Sequence, residues 1–256
     1  MAGIKSWAPA VHEQLGPHRL VYMSASDDTA DAGIDWAAAA IPRQYAASAK
    51  IARILRRLNK PAAAEYLEDK LPTSPRTRSG ELGEIFGFQY AAREMGYRMI
   101  ARLRWKDHRQ MPMRGDDIVG VRLSQTGRME FLKGEAKSRA RLGKGTVSEA
   151  DEALQNDNGR PSAHALAFFA DRLDDLGEAD LADRIYAAQL STRIDQRQVL
   201  QLLFTFTGND PRTLLRESTT AYGGSVTRHA VGLQVPEHQA FIAAVYARVV
   251  SDASKP

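Results

Sequence analysis

The segment Phe131 to Ser138, FLKGEAKS, sets a carboxylate and an ammonium two residues apart, at Glu135 and Lys137. In a β-strand alternate side chains share a face, so the two project together while Ala136 points away. On an exposed strand such a pair is an ordinary ion pair that contributes ~0 to 1 kcal/mol. It acquires chemical meaning only when further acids join it. The run DIVGVRLSQTGRMEFLKGEAK, which contains it, reads as two strands around a glycine-containing turn. If the turn is Gln125-Thr126-Gly127, with Gly127 in the left-handed position, Ser124 pairs with Arg128 and Arg122 with Glu130. Val121 then faces Phe131, Val119 faces Lys133, and Asp117 falls opposite Glu135. A shorter turn, Thr126-Gly127, would put Asp116 opposite Lys137 instead. The first register is preferred because it forms the Arg122–Glu130 charge pair and gathers Val119, Val121, Leu123, Met129 and Phe131 on one apolar face.

Asp117, Glu135 and Lys137 would then form one cluster. Two carboxylates held that close repel unless a proton or cation lies between them. Mg²⁺, or Mn²⁺ in its place, takes oxygen ligands and keeps several waters, so the pair reads as a metal site suited to phosphodiester hydrolysis. The metal would polarise the phosphate and lower the pKa of a bound water, while Lys137 positions that water or stabilises developing charge. A third acid is available in SGELGEIFG, where Glu81 and Glu84 are neighbours on one helical face. The helix dipole alone favours acids in a first turn, which is the structural reading of both. Ser79 forms no capping box with them, because the third residue after it is Leu82. His108, His164 and His229 lack metal-ligand spacing and read as surface or core histidines. No P-loop, Rossmann fingerprint or G-x-S-x-G elbow is present.

These residues need a scaffold. Residues 31–70 are alanine-rich, and Ile51, Leu55 and Leu58 follow the spacing of a buried helical stripe, interrupted at Asn59 to Pro61. A second helix, AAAEYLEDKL, leads into LPTSPRTRSG, which predicts a loop or boundary at 71–80. Residues 81–95 are helical again, YRMIARLRW (97–105) alternates as a strand does, and KDHRQMPMRG is a basic loop. After the hairpin, helices are predicted at about 147–155, 163–174 and 178–190, with a turn at NDNGRPS. QVLQLLFTFTG and VTRHAVGLQVP read as strands and EHQAFIAAVYARVV as a closing amphipathic helix. The expectation is an α/β protein with a helical N-terminal lobe at 1–75 and the chemistry-bearing domain at 76–256.

A chain of 256 residues buries roughly 70 to 75% of its unfolded surface, enough for one large domain or a core with an accessory lobe. With 43% hydrophobic and 26% charged residues it falls in the globular range. The chain has no cysteine, which removes disulfides and thiolate metal sites and fits a reducing cytosol. No run reaches the ~20 apolar residues needed to span a bilayer, so the expected location is cytoplasmic, with no membrane contact. Residues 98–144 hold 13 Lys and Arg against 5 Asp and Glu, a local balance of +8 within a total of +4. The bland reading is a solvated basic face. The alternative is attraction of a polyanion, with Arg139, Arg141 and Lys144 the expected phosphate contacts because they directly follow the candidate active-site strand.

The ordered motifs Gly80-Glu81-Leu82-Gly83-Glu84, Gly115-Asp116-Asp117-Ile118 and Gly134-Glu135-Ala136-Lys137 resemble those of PD-(D/E)xK nucleases. That resemblance implies a restriction-endonuclease-like core, a central mixed sheet flanked by helices. It also implies Glu84 as the helical acid, with Glu81 as understudy, and Glu84, Asp117 and Glu135 as metal ligands beside Lys137. More narrowly, GELGE after LPTS, the GEAKSR run and the closing RHAVGLQVP strand resemble the HamA family, nuclease subunits of Hachiman anti-phage systems. This implies a HamB-like helicase partner, DNA as substrate, and a nuclease restrained until infection or DNA damage is sensed. The competing readings are a stand-alone restriction or repair endonuclease, and a non-catalytic DNA-binding subunit with a degenerate nuclease core.

Overall fold

A computed structural model describes residues 3–58, 60–106, 108–111 and 115–254. Parts of two predicted segments, the interruption at Asn59 and the basic loop at Asp107 and 112–114, lie outside these residues. The centre is a seven-stranded mixed sheet. In chain order its strands are β1 (Ala10–Leu15), β2 (His18–Ser24), β3 (Arg98–Met99), β4 (Ile118–Leu123), β5 (Met129–Arg139), β6 (Val199–Thr207) and β7 (Thr227–Gln234). In space they lie in the order β1-β2-β7-β6-β5-β4-β3. The four inner strands β2, β7, β6 and β5 run parallel, while β1, β4 and β3 pair antiparallel toward the edges. Strand β6 is the most enclosed, with Leu202, Leu203, Phe204 and Phe206 fully buried, as an apolar run between two helical layers requires.

The helices are α1 (Asp27–Ala40), α2 (Pro42–Tyr45), α3 (Ser48–Arg57), α4 (Lys60–Lys70), α5 (Pro75–Glu94), α6 (Lys144–Gln155), α7 (Ala163–Asp175), α8 (Ala179–Ala187), α9 (Arg212–Ala221) and α10 (His238–Ser254). One face of the sheet carries α1, α5 and α10, whose Trp36, Phe86 and Phe241 pack with Trp7 and Phe206 in an aromatic core. The other face is covered by α6 with α9 and by α7 with α8.

The predicted β4–β5 register is the one observed. Arg122 pairs with Glu130, Val121 with Phe131 and Val119 with Lys133. The turn closes through Ser124 N–H to Arg128 O, 2.8 Å, with Gly127 at φ 76°. The Arg122–Glu130 ion pair forms at 2.7 Å. The strands predicted after the hairpin and the closing helix are present as β6, β7 and α10.

Four expectations are corrected. The N-terminal third is not purely helical: residues 10–24 form a hairpin whose second strand pairs in parallel with β7, and Trp7, Tyr45, Leu67 and Leu71 share one core with Phe86 and Tyr246. The stripe Ile51, Leu55, Leu58 is not buried, since Leu55 is 41% and Leu58 68% exposed. The loop expected at 71–80 is shorter, because Pro75 begins α5 under a Ser74 cap that accepts a hydrogen bond from Thr77 N–H at 3.1 Å. Proline is favoured there, where its missing N–H would have no helical partner. Finally, of the strand expected at 97–105 only Arg98–Met99 pairs with β4, and a 3₁₀ turn follows at Arg102–Trp105. As an edge strand it leaves the ladder once other contacts compete for its residues.

Candidate active site

Strand β5 runs for 11 residues, while β4 covers its outer side only as far as the Ile118–Gly134 pair. Beyond that point Glu135 to Arg139 pair with β6 alone, leaving a notch on the outer side of β5. Helix α5 lies against the same strand through glycine. A Cβ on Gly83 would sit 3.1 Å from the Ser138 Cβ, and one on Gly87 would collide with the Ile118 Cδ1. These i, i+4 glycines let the helix approach the sheet closely and so carry Glu84 to the notch.

The Asp117 carboxylate accepts a hydrogen bond from Ala136 N–H at 3.1 Å. Glu135 and Lys137 form an ion pair at 2.8 Å, with both side chains mostly enclosed. Burial raises Glu135 to a pKa of about 7, and the Asp117 charge pushes in the same direction against the pull of Lys137. Burial also raises Glu84 well above the carboxylate range, with Asp117 again the main neighbouring charge. Asp117 is raised by burial, opposed by the Ala136 hydrogen bond and by Arg102 and Lys137. Asp117 thus links two acidic pairs, one toward Glu84 and one toward Glu135. Glu84, Asp117 and Arg102 line a cavity of about 20 Å³, room for about one water.

Two mutually repelling carboxylates with space for water suit Mg²⁺, which is commonly held by one or two carboxylates rather than by a complete protein cage. Among the described residues no three acidic or histidine side chains converge closely enough to hold a metal ion. The expected set Glu84, Asp117 and Glu135 is therefore two overlapping pairs and not a three-ligand cage.

Glu81, the understudy, is engaged elsewhere. Its buried carboxylate accepts from the Tyr45 hydroxyl and pairs with Lys106, and Tyr45 lies 3.3 Å from the Tyr246 hydroxyl. Asp116 is likewise committed. It accepts from Ser162 N–H at 2.7 Å and pairs with Lys133 at 3.4 Å. Lys133 shares the strand face of Glu135, so simple alternation does not describe the two aspartates. They precede the ladder, and each follows its own local partner.

Arg139, the last residue of β5, and Arg141 and Lys144 beyond it are exposed. His108 and His164 are exposed, and His229 is partly buried, with burial lowering its pKa to about 4. Two features escaped the sequence. Arg102 was counted in the basic segment but hidden in a strand-like alternation. The buried chain from Ser79 to Ser138 to His238 Nε2, at 2.8 and 3.0 Å, ties α5, β5 and α10 together, and no motif announces it. Burial lowers His238 to about 4, so it is neutral near pH 7.

The chain is similar to known proteins along nearly its whole length. The chain is 26% identical over 239 residues to the Hachiman protein HamA of Bacillus cereus, covering 91% of this chain and 84% of that relative. The HamA family profile matches residues 8–249. With the match extending from the β1–β2 hairpin to α10, the chain belongs to the HamA family.

Proposed function

We propose that the chain is a metal-dependent deoxyribonuclease with a PD-(D/E)xK-type core, acting as the effector subunit of a helicase-coupled anti-phage complex. The observation that carries this reading is the convergence of Asp117 on both Glu84 and Glu135, with Lys137 at 2.8 Å from Glu135, where β5 outruns β4. Family membership and the Hachiman name of the Bacillus cereus relative support the defence role.

Asp117 and Glu135 are the proposed cation ligands, with Glu84 beside Asp117 as the third proposed ligand, contributed by the helix. A bound Mg²⁺ or Mn²⁺ would supply the Lewis acid for attack on the phosphodiester. Lys137 orients the attacking water and balances charge that develops on the phosphate. The Ala136 N–H fixes one Asp117 oxygen, and Arg102 offsets the negative charge of Glu84 and Asp117. Arg139, Arg141 and Lys144 take flanking phosphates. The proposed partner is a HamB-like helicase, and the N-terminal third, where Leu55 and Leu58 are exposed, offers surface for it.

The test is to purify the chain alone and with a co-expressed HamB-like helicase, then incubate each with plasmid DNA with and without Mg²⁺ or Mn²⁺. Metal-dependent cleavage by the isolated chain, suppressed in a stable complex, is the expected result. Binding without cleavage under every metal condition would favour the second reading, a non-catalytic DNA-binding subunit. The observation on that side is that the three acids do not close into a cage.

A further inference from the structure

Helix α5 continues from Glu84 past Phe88 to a second cleft of about 400 Å³, lined by Arg43, Phe88, Arg93, Arg98, Arg104 and Trp105 among others. Phe88 also lines the cavity of Glu84 and Asp117, so the two spaces adjoin. The four arginines come from four separate parts of the fold: α2, α5, β3 and the 3₁₀ turn. Arg98 is paired with Glu178 at 3.0 Å. Arg104 directs two donors to the Arg43 backbone carbonyl, at 3.0 and 2.7 Å, which fixes its guanidinium without neutralising it. Neither Arg43 nor Arg104 pairs with a carboxylate among the described residues. Burial and the neighbouring Arg98 charge lower the Arg104 pKa. A scattered basic face would be solvated without consequence, but here like charges are gathered in a concavity beside two aromatic rings.

We infer that this cleft binds a single-stranded segment of nucleic acid, its arginines holding phosphates and Trp105 and Phe88 stacking bases, and delivers that strand to the Glu84–Lys137 centre. The inference rests on the nuclease reading of that centre. Arginines interleaved with aromatic rings are the chemistry of single-strand grooves. The cleft volume falls in the small-ligand range of ~300 to 1,000 Å³, which admits a nucleotide. From Glu84 to Arg93 the helix rises roughly 14 Å, about four base steps at roughly 3.4 Å each.

The experiment measures fluorescence anisotropy of a labelled single-stranded oligonucleotide and of its blunt duplex, in EDTA, across ~50 to 200 mM salt. It compares the wild-type chain, Arg43→Gln/Arg93→Gln and Arg43→Lys/Arg93→Lys. Both positions are exposed, so the variants retain the fold, and thermal melting verifies this. Wild type should prefer the single strand. The glutamine variant should bind it at least tenfold more weakly, with a salt slope shallower by about 1.4, or ~0.7 for each of two phosphates. The lysine variant should recover most of the loss. Wild-type affinity and slope in the glutamine variant, a preference for duplex, or no binding by wild type would each overturn the inference. Because the assay is metal-free, its failure leaves metal-dependent cleavage to be judged separately, and absence of cleavage by wild type would count against the nuclease reading alone.

Discussion

The Asp117 carboxylate lies 3.1 Å from the backbone N–H of Ala136, at the place where β4 has ceased to supply β5 with partners. A side chain thus satisfies an N–H that the end of the ladder leaves open. The same carboxylate is thereby fixed between Glu84 and Glu135.

Asp116 and Asp117 should separate stability from catalysis. Asp117→Asn should remove metal-dependent cleavage while changing the melting temperature little. Asp116→Asn leaves Lys133 buried without its counter-charge, the side chains being 2% and 9% exposed. It should cost about 3 kcal/mol while the folded fraction still cleaves. Thermal melts and a Mg²⁺ titration on both purified variants decide this, and the reverse pattern would assign the metal to Asp116.

Glu135 should make the metal-free protein less stable as pH rises. Its pKa is about 7 in the folded chain against an ordinary 4.5, so the folded state holds the proton more tightly than the unfolded state. Stability therefore falls between pH ~4.5 and ~7, by at most about 3 kcal/mol. Glu135→Gln should stabilise the metal-free chain at pH 8 and have little effect at pH 4. Denaturant midpoints for the two proteins at both pH values test the sign. A variant less stable than wild type at pH 8 would contradict it.

Gly83→Ala should be harmful although alanine normally favours a helix by ~1 kcal/mol. The added methyl would press on the Ser138 Cβ at 3.1 Å, and Ser138 is held by Ser79 and His238. The expected outcome is a loss of about 1 kcal/mol with a disproportionate loss of cleavage, because Glu84 moves with the helix. Wild-type cleavage rates in this variant would show that the close approach is not needed for the chemistry.

The β4–β5 register was legible because Gly127, the Arg122–Glu130 pair and the apolar alternation all favour it, and a slip breaks them together. β6 was legible as an unbroken apolar run. The β1–β2 hairpin was not, because β1 is largely exposed and lacks a clear alternation, and the burial of Leu20 to Met23 depends on pairing with β7 some 200 residues away. The placement of the aspartates was legible only in part. Alternation governs residues inside a ladder, and Asp116 and Asp117 precede it, so Lys133, Ser162 and Ala136 decide where they point. Arg102 was obscured because a strand-like pattern at an edge does not reveal where pairing ends.

Glu84 and Glu81 should differ in kind. Glu84→Gln should abolish or sharply reduce cleavage and leave folding intact. Glu81→Gln should lower stability by roughly 1 to 3 kcal/mol, since its carboxylate serves Tyr45 and Lys106 in a buried network. Parallel melts and cleavage assays separate them.

The central claim is tested most directly by plasmid cleavage with purified Glu135→Ala and Lys137→Ala across a Mg²⁺ titration, beside wild type. The account predicts metal-dependent cleavage by wild type and at least a ~100-fold loss in each variant, with far-ultraviolet circular dichroism unchanged. Cleavage at the wild-type rate by either folded variant would contradict the assignment of the Glu135–Lys137 pair to catalysis.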